Sequence, residues 1–277
     1  MTQHENIPLG RSVAYPRRVD RGLLAPIARA DSRAGWGIDA GALPFHGEDL
    51  WGCYELSWLD ARGKPMRAVA EMRVPASSPS LVESKSLKLY LNGYAYERFD
   101  SEIDLGSQIS RDLEHVVGAP VGFTLLPSAQ WSGLQLEAAL GICLDGEPMT
   151  VDGYGPPAPE LLRADPQHHV AETVHTTLFR SNCPVTGQPD WATVVVDYAG
   201  RRIDHPALLA YLISYRDHAG FHEQCVERIW LDLKRRCGCD QLTVHARFTR
   251  RGGLDITPLR SDVPGVRLRS WRRDPVQ

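Results

Sequence analysis

From Met66 through Ala68, Ala70 and Met72 to Val74 every second residue is apolar, which predicts a strand with one face in a core. Together with the stretch that precedes the Arg62-Gly63-Lys64 turn, residues 52–75 read as two strands. The spacing then changes. Leu87, Tyr90, Leu91 and Tyr94 fall on one helical face, although Leu87, Leu89 and Leu91 also alternate as a strand would. Ile109, Leu113 and Val116 predict a second helix, and strand-like runs near 119–126 and 133–144 follow.

The same order returns in the second half. Runs near 172–180 and 191–198 read as strands, 205–217 and 222–236 as helices, and 241–249 and 254–257 as strands again. The matches extend to polar and aromatic positions. Leu87, Tyr90, Leu91 and Tyr94 align with Leu208, Tyr211, Leu212 and Tyr215; Ile109, Asp112, Leu113 and Gly118 align with Ile229, Asp232, Leu233 and Gly238. Apolar faces resemble one another by chance, but tyrosines and an aspartate in register do not, so an internal duplication is expected. The Pro/Gly-rich stretch from Gly153 to Pro159 reads as the linker. Residues 1–152 and 160–277 are then the two modules.

The halves differ in their polar equipment. The second carries Phe179-Arg180-Ser181-Asn182-Cys183-Pro184-Val185-Thr186-Gly187-Gln188-Pro189-Asp190-Trp191, a turn-rich connector between two strands that holds one thiol and one acid. A cysteine at a strand end in such a loop is a nucleophile candidate; a half-buried structural cysteine in a hairpin is the plainer alternative. The second helix of that half opens with Phe221-His222-Glu223-Gln224-Cys225, whereas Glu83-Ser84-Lys85-Ser86 leads into the first helix of the first half. A site drawing on all of these would span both halves.

Composition excludes several classes. With 277 residues, 43% of them hydrophobic, the chain can build one large core or two small ones. A net charge of −3 gives no nucleic-acid footprint. No apolar run nears the roughly 18 residues of a membrane span, and no secretory signal is visible. Six cysteines in a chain this long do not make a disulfide framework, so a reducing cytoplasm is expected. No Gly-x-Gly-x-x-Gly follows a strand, which argues against a Rossmann cofactor domain. Residues 1–45 should wrap the core or lie partly disordered, and the basic tail from Arg267 to Arg273 reads as a solvated end.

Glu83-Ser84-Lys85-Ser86-Leu87-Lys88-Leu89-Tyr90, the cysteine loop ending Gln188-Pro189-Asp190-Trp191, Phe221-His222-Glu223 and Arg250-Arg251-Gly252-Gly253 occur in that order. In this the chain resembles the NADPH-dependent 7-cyano-7-deazaguanine reductases, nitrile reductases of queuosine biosynthesis, and most closely their two-module type. The resemblance implies an α+β fold of tandem tunnelling-fold modules, each an antiparallel four-stranded sheet with two helices. It further implies a cytoplasmic homodimer with no nucleic-acid or membrane partner, and reduction of 7-cyano-7-deazaguanine to the 7-aminomethyl compound at the expense of two NADPH.

The resemblance also assigns roles. Cys183 would add to the nitrile to form a thioimidate and Asp190 would be the general acid. Val82, Glu83, Ser84, His222 and Glu223 would hold the substrate, the carboxylates accepting its guanine-like N–H donors. Ser84, Lys85, Arg251 and Gly252 would hold NADPH. Two other readings remain beside it. A zinc enzyme could use His222, Cys225, Cys237 and Cys239, but Cys-x-Cys is not a usual ligand spacing, and no resident metal is expected. A non-catalytic purine- or pterin-binding module would leave Cys183 incidental.

Overall fold

The computed structural model describes residues 15–151 and 153–277. β1 (Pro26–Ala28) and α1 (Ala30–Gly35) precede a hairpin of β2 (His46–Leu59) and β3 (Pro65–Pro75). β4 (Ser80–Val82), α2 (Ser84–Gly93), α3 (Glu102–Val117) and β5 (Gly122–Pro127) follow, then the two-residue strands β6 (Gln135–Leu136) and β7 (Ile142–Cys143). The second half runs β8 (Ala164–Asn182), β9 (Pro189–Ile203), α4 (His205–Ile213), α5 (His222–Cys237), β10 (Gln241–Phe248) and β11 (Leu254–Ser261), and β12 (Arg272–Arg273) lies near the C-terminus. Among the described residues no helix is long and apolar enough to cross a membrane.

Local chemistry explains the boundaries. Asp60 Oδ1 accepts the Arg62 and Lys64 amides at 2.9 Å each, closing the turn between β2 and β3. Ser101 caps α3 by accepting from the Asp104 amide. α3 and α5 each end on a left-handed glycine, Gly118 (φ 73°) and Gly238 (φ 63°), one of the matched pairs of the repeat. The other matches form the same network twice. The Tyr90 hydroxyl meets Tyr94 at 2.6 Å and donates to Asp112 at 2.7 Å; the Tyr211 hydroxyl meets Tyr215 at 2.9 Å and donates to Asp232 at 2.8 Å. Both tyrosine pairs are edge-to-face, at 88° and 90°. Buried hydroxyls need partners, and each helix pair supplies them in the same way.

The two halves meet in one eight-stranded sheet of order β5-β3-β2-β11-β10-β9-β8-β7. β2 and β11 form the seam, antiparallel from Leu254 opposite Cys53 to Ser261 opposite His46. Each helix pair covers one half of one face. Leu87, Tyr90, Leu105, Ile109 and Leu113 pack with Trp51, Leu56 and Met72 in one core; Leu208, Tyr211, Val226, Ile229 and Trp230 pack with Val194, Val244 and Phe248 in another.

The run at 133–144 departs from expectation. The first half gives the sheet three adjoining strands, not four. Pro127 ends β5, and a short 3-10 turn (Ser128–Gly133) lifts the chain off the sheet edge. The segment then crosses the open face as a strap, and β7 joins the far edge in parallel with Val174 and His175 of β8. Gly141 makes the crossing feasible: its φ is 91°, and a Cβ there would sit 2.1 Å from the Thr173 carbonyl oxygen. The tail is not a solvated end either. β12 pairs in parallel with β6, the Trp271 amide donates to Glu71, and Arg73 donates to the Leu268 carbonyl and Ser270. These partners lie 130 or more residues away in sequence, so no local pattern announces them.

Behind the seam is a buried charge cluster. Arg260 of β11 is 0% exposed and bonds Asp49 of β2 and Glu227 of α5 at 2.8 Å each. Arg29, beside α1, reaches Asp49 at 2.5 Å, and Arg33 of α1 reaches Glu227 at 2.7 Å. The Phe45 ring lies 5.5 Å from the Arg260 guanidinium and 5.6 Å from that of Arg33. Burial would raise both carboxylates, but the arginines outweigh it and hold their pKa below the ordinary value. Asp49→Asn should therefore cost about 3–5 kcal/mol in denaturant unfolding, because it strands buried arginines. Glu55→Gln, at an exposed pair with Lys88, should cost less than about 1 kcal/mol. Equal effects would deny the cluster its role.

Candidate active site

Cys183 follows the last residue of β8, where the hairpin turns toward β9. Its amide donates to the Gln188 carbonyl at 2.8 Å, and the Gly187 amide donates back to the Cys183 carbonyl at 3.0 Å. The connector is thus a closed loop with Cys183 fixed at its base, 2% exposed. Asp190 sits opposite Ser181 at the start of β9, so strand pairing brings acid and thiol to the same end of the hairpin. Both line a small cleft. Its walls are Trp51, Leu81, Val82, Phe221 and Ile256, and its polar groups are Ser84, His222, Glu223 and Arg251. Apolar walls with a few convergent polar groups suit a flat heterocycle.

The acid is held on several sides. Arg251 Nε reaches Asp190 Oδ1 at 2.9 Å, and another guanidinium nitrogen reaches Oδ2 at 3.3 Å. Arg251 also donates to Gln188 of the hairpin loop at 3.2 Å. His222 Nε2 lies 3.1 Å from Asp190 Oδ2, off the axis of a well-aligned hydrogen bond, and its Nδ1 has no protein partner. The His222 ring stacks on Phe248 at 3.8 Å and 8°. Burial lowers its pKa despite Asp190, so the ring is neutral near pH 7.

Glu223 opens α5, one turn before Glu227. It is 2% exposed and has no ion pair among the described residues. Burial first, and then the nearby Asp49 charge, push its pKa up to about 7, while Arg29 and Arg260 pull the other way. A carboxylate kept inside a cleft without an ion-pair partner is ready for a ligand's donors.

Of the residues expected from sequence, the cleft brings together Cys183, Asp190, Val82, Ser84, His222, Glu223 and Arg251. Glu83, Lys85 and Gly252 lie outside its lining. Glu83 caps α2: its carboxylate accepts the Lys85 amide at 2.6 Å and the Ser86 amide at 2.8 Å. Its work in this structure is to fix the turn that presents Val82 and Ser84. The proposed zinc set cannot converge, since His222 and Cys237 stand at opposite ends of α5, roughly 22 Å apart at 1.5 Å per residue. Among the described residues no three His, Cys, Asp or Glu side chains group around one point.

A family model described as "Nitrile reductase, 7-cyano-7-deazaguanine-reductase N-term" matches residues 15–125, and one described as "QueF-like protein" matches residues 189–263. The chain is 53% identical to an NADPH-dependent 7-cyano-7-deazaguanine reductase of Bordetella pertussis, over 97% of this chain and 98% of that protein. It is 52% identical to the Bordetella avium protein of that name (92% and 93% covered) and 51% identical to that of Stenotrophomonas maltophilia (96% of each). This chain belongs to the NADPH-dependent 7-cyano-7-deazaguanine reductase family. The family's members are oxidoreductases, and NADPH is their reductant. A solved structure, an archaeosine synthase QueF-Like in the apo form, matches 35% of this chain and 95% of its own at 19% identity and a TM-score of 0.31, too little to bear on the fold.

Membership in this reductase family makes the edge of the cleft the place to look for a cofactor cradle. Ser84 and Lys85 start α2, and Arg251 and Gly252 form the turn between β10 and β11. Lys88, one helical turn further, links them: a Cβ on Gly252 (φ 61°) would meet the Lys88 side chain at 3.4 and 3.5 Å. Three cationic side chains and an open glycine backbone on neighbouring segments fit a phosphate-bearing cofactor. Sequence reasoning missed Lys88, Phe248 and Trp51. Lys88 lies within the quoted motif but carried no separate signal, Phe248 fell inside a run read as a strand, and Trp51 lies one residue before the first run so read.

The raised pKa of Glu223 has a consequence for stability. Between its unfolded range near 4.5 and about 7, the folded chain keeps a proton that the unfolded chain releases, so stability falls as pH rises through that window. Glu223→Gln should therefore melt higher than the wild type at pH 8 and at the same temperature at pH 4. A larger gap at pH 4 would contradict the assignment.

Proposed function

We propose that this chain reduces the nitrile of 7-cyano-7-deazaguanine to the 7-aminomethyl compound through a covalent thioimidate on Cys183. The observation that carries this reading is a buried thiol, a buried acid and a buried carboxylate without an ion pair lining one small cleft, in a chain of this family.

The deazaguanine ring fits between Trp51, Phe221 and Ile256. Glu223 accepts two adjacent N–H groups of its guanine-like edge, and neutral His222 offers Nδ1 to a further polar atom. This pose directs the 7-cyano group at Cys183. Addition of sulfur across the triple bond forms a C–S bond and places the thiol proton on nitrogen, with Asp190 in position to relay it. The cofactor supplies hydride when bound. Hydride on the thioimidate carbon and a proton on its nitrogen give a tetrahedral carbon, loss of sulfur with one N–H proton restores the Cys183 thiol and leaves an imine, and a second hydride with a second proton gives the amine. Two NADPH are consumed. Ser84, Lys85, Arg251 and Gly252 would hold the cofactor's phosphates.

In this reading the halves act as tunnelling-fold modules, residues 1–152 and 160–277, in cytoplasmic queuosine biosynthesis. β5 ends the sheet with one edge unpaired among the described residues, and β7 covers only two residues of β8. Such edges are met by another strand, which favours a homodimer.

Turnover with NADPH tests the scheme. Cys183→Ala should make no amine. Asp190→Asn should still form the adduct but reduce it at least about a hundredfold more slowly, the usual scale of a general acid. Wild type should oxidise two NADPH per amine; amine production by Cys183→Ala would reject covalent catalysis. Substrate affinity should depend on Glu223 being ionised. With its pKa at about 7, dissociation constants should tighten by about tenfold from pH 6 to pH 8, and Glu223→Gln should flatten the profile.

A further inference from the structure

The reductase reading uses one face of the sheet, and a second cavity lies on the other. Strand alternation separates them: Trp51 and Ile256 line the Cys183 cleft, while their neighbours Leu50 and Thr257 line the second cavity. The two share no residue. The second cavity, of about 290 Å³, opens to solvent between the open sheet face, the 137–140 strap and the 266–272 tail.

Its charge is opposite to that of the chain. Arg247, Arg267, Arg269 and Arg272 converge on it against Glu137 and Asp197, whereas the whole chain carries −3. Glu137 is already engaged by Arg269 and, at 3.9 Å, by Arg247. Arg267 and Arg272 have no ion pair among the described residues. His245 Nε2 is buried on the same wall and has no hydrogen-bond partner. The Thr173, Thr243 and Thr257 side chains also belong to the lining. A buried ring nitrogen without a partner costs stability unless something else meets it. Guanidiniums without ion-pair partners on the wall of a cavity favour an anion with several oxygens.

We propose that this cavity is a second binding site, distinct from the Cys183 cleft, for a ligand carrying two or more phosphate charges. Arg267 and Arg272 bind the phosphate oxygens, and His245 Nε2 contributes a polar contact deeper in. The strap and tail that form its roof are tied by the β6–β12 pair and by Arg73 to Leu268 and Ser270. Occupancy should therefore tighten the strap and tail against the sheet.

The shared chemistry is phosphate, which a separate nucleotide or the reductase's own cofactor could provide, and the test distinguishes them. Inorganic pyrophosphate is titrated calorimetrically at low ionic strength into full-length Arg251→Gln, which removes the proposed cofactor contact on the other face. We expect one saturable site, weakened at least about tenfold by adding Arg267→Gln and Arg272→Gln, and weakened also by His245→Gln. In a chain with native Arg251, Arg267→Gln with Arg272→Gln should leave the melting temperature and the NADPH KM unchanged. No saturable binding, or binding indifferent to these substitutions, would overturn the proposal. A rise in NADPH KM in step with lost pyrophosphate binding would also overturn it, by making the cavity part of the cofactor site. Neither outcome would touch the Cys183 adduct, so the reductase reading stands or falls separately.

Discussion

A guanidinium with no access to water, Arg260, is held between Asp49 and Glu227 at 2.8 Å each. Three structural units meet on that one side chain: Asp49 belongs to β2 of the first half, Arg260 to β11 of the second, and Glu227 to α5. Desolvating these charges is costly, and the arrangement persists because Arg29 and Arg33 complete the pairing. Sliding one half against the other would break these directional ion pairs, so they reinforce the β2–β11 register that the alternation of buried positions already favours.

That constraint reaches the cleft through one turn of helix. Glu227 anchors α5, and His222 and Glu223 stand at the start of the same helix. The cluster that fixes the seam therefore also fixes the two side chains expected to read the substrate, and its Asp49 charge helps raise Glu223. Trp51 comes from the first half and Cys183 and Asp190 from the second, so a site of this composition exists only when the seam is closed. Partition of equipment between the halves has a physical counterpart. The Tyr-Tyr-Asp networks are duplicated because each helix pair needs internal satisfaction, while the cleft is single because it lies at the junction.

Much of this was legible in the chain because it is encoded locally. Period-two and period-3.6 patterns give β3, β9, β10 and all four long helices, and the matched tyrosines, aspartates and terminal glycines give the repeat. Most of the polar residues that line the cleft were legible because four short motifs carry them. What stayed hidden depends on contacts distant in sequence. Residues 133–144 look like a strand, yet they form a strap because Pro127 closes β5 and Gly141 allows a close pass over Thr173. The tail looks solvated because its partners, Glu71 and the residues of β6, lie far back in the chain. Arg29, Arg33 and Arg260 look like surface charges, since nothing local reveals a buried carboxylate waiting for them. Glu83 is the mixed case: its motif announced a functional segment, and the structure uses its carboxylate as a helix cap.

On the proposed route, sulfur at position 183 bonds to the nitrile carbon before any reduction. Intact-mass spectrometry of the chain mixed with 7-cyano-7-deazaguanine in the absence of NADPH tests it directly. The predicted result is a mass gain equal to the whole nitrile, mapped by peptide analysis to Cys183. An unmodified chain under conditions where amine still accumulates once NADPH is added would contradict it.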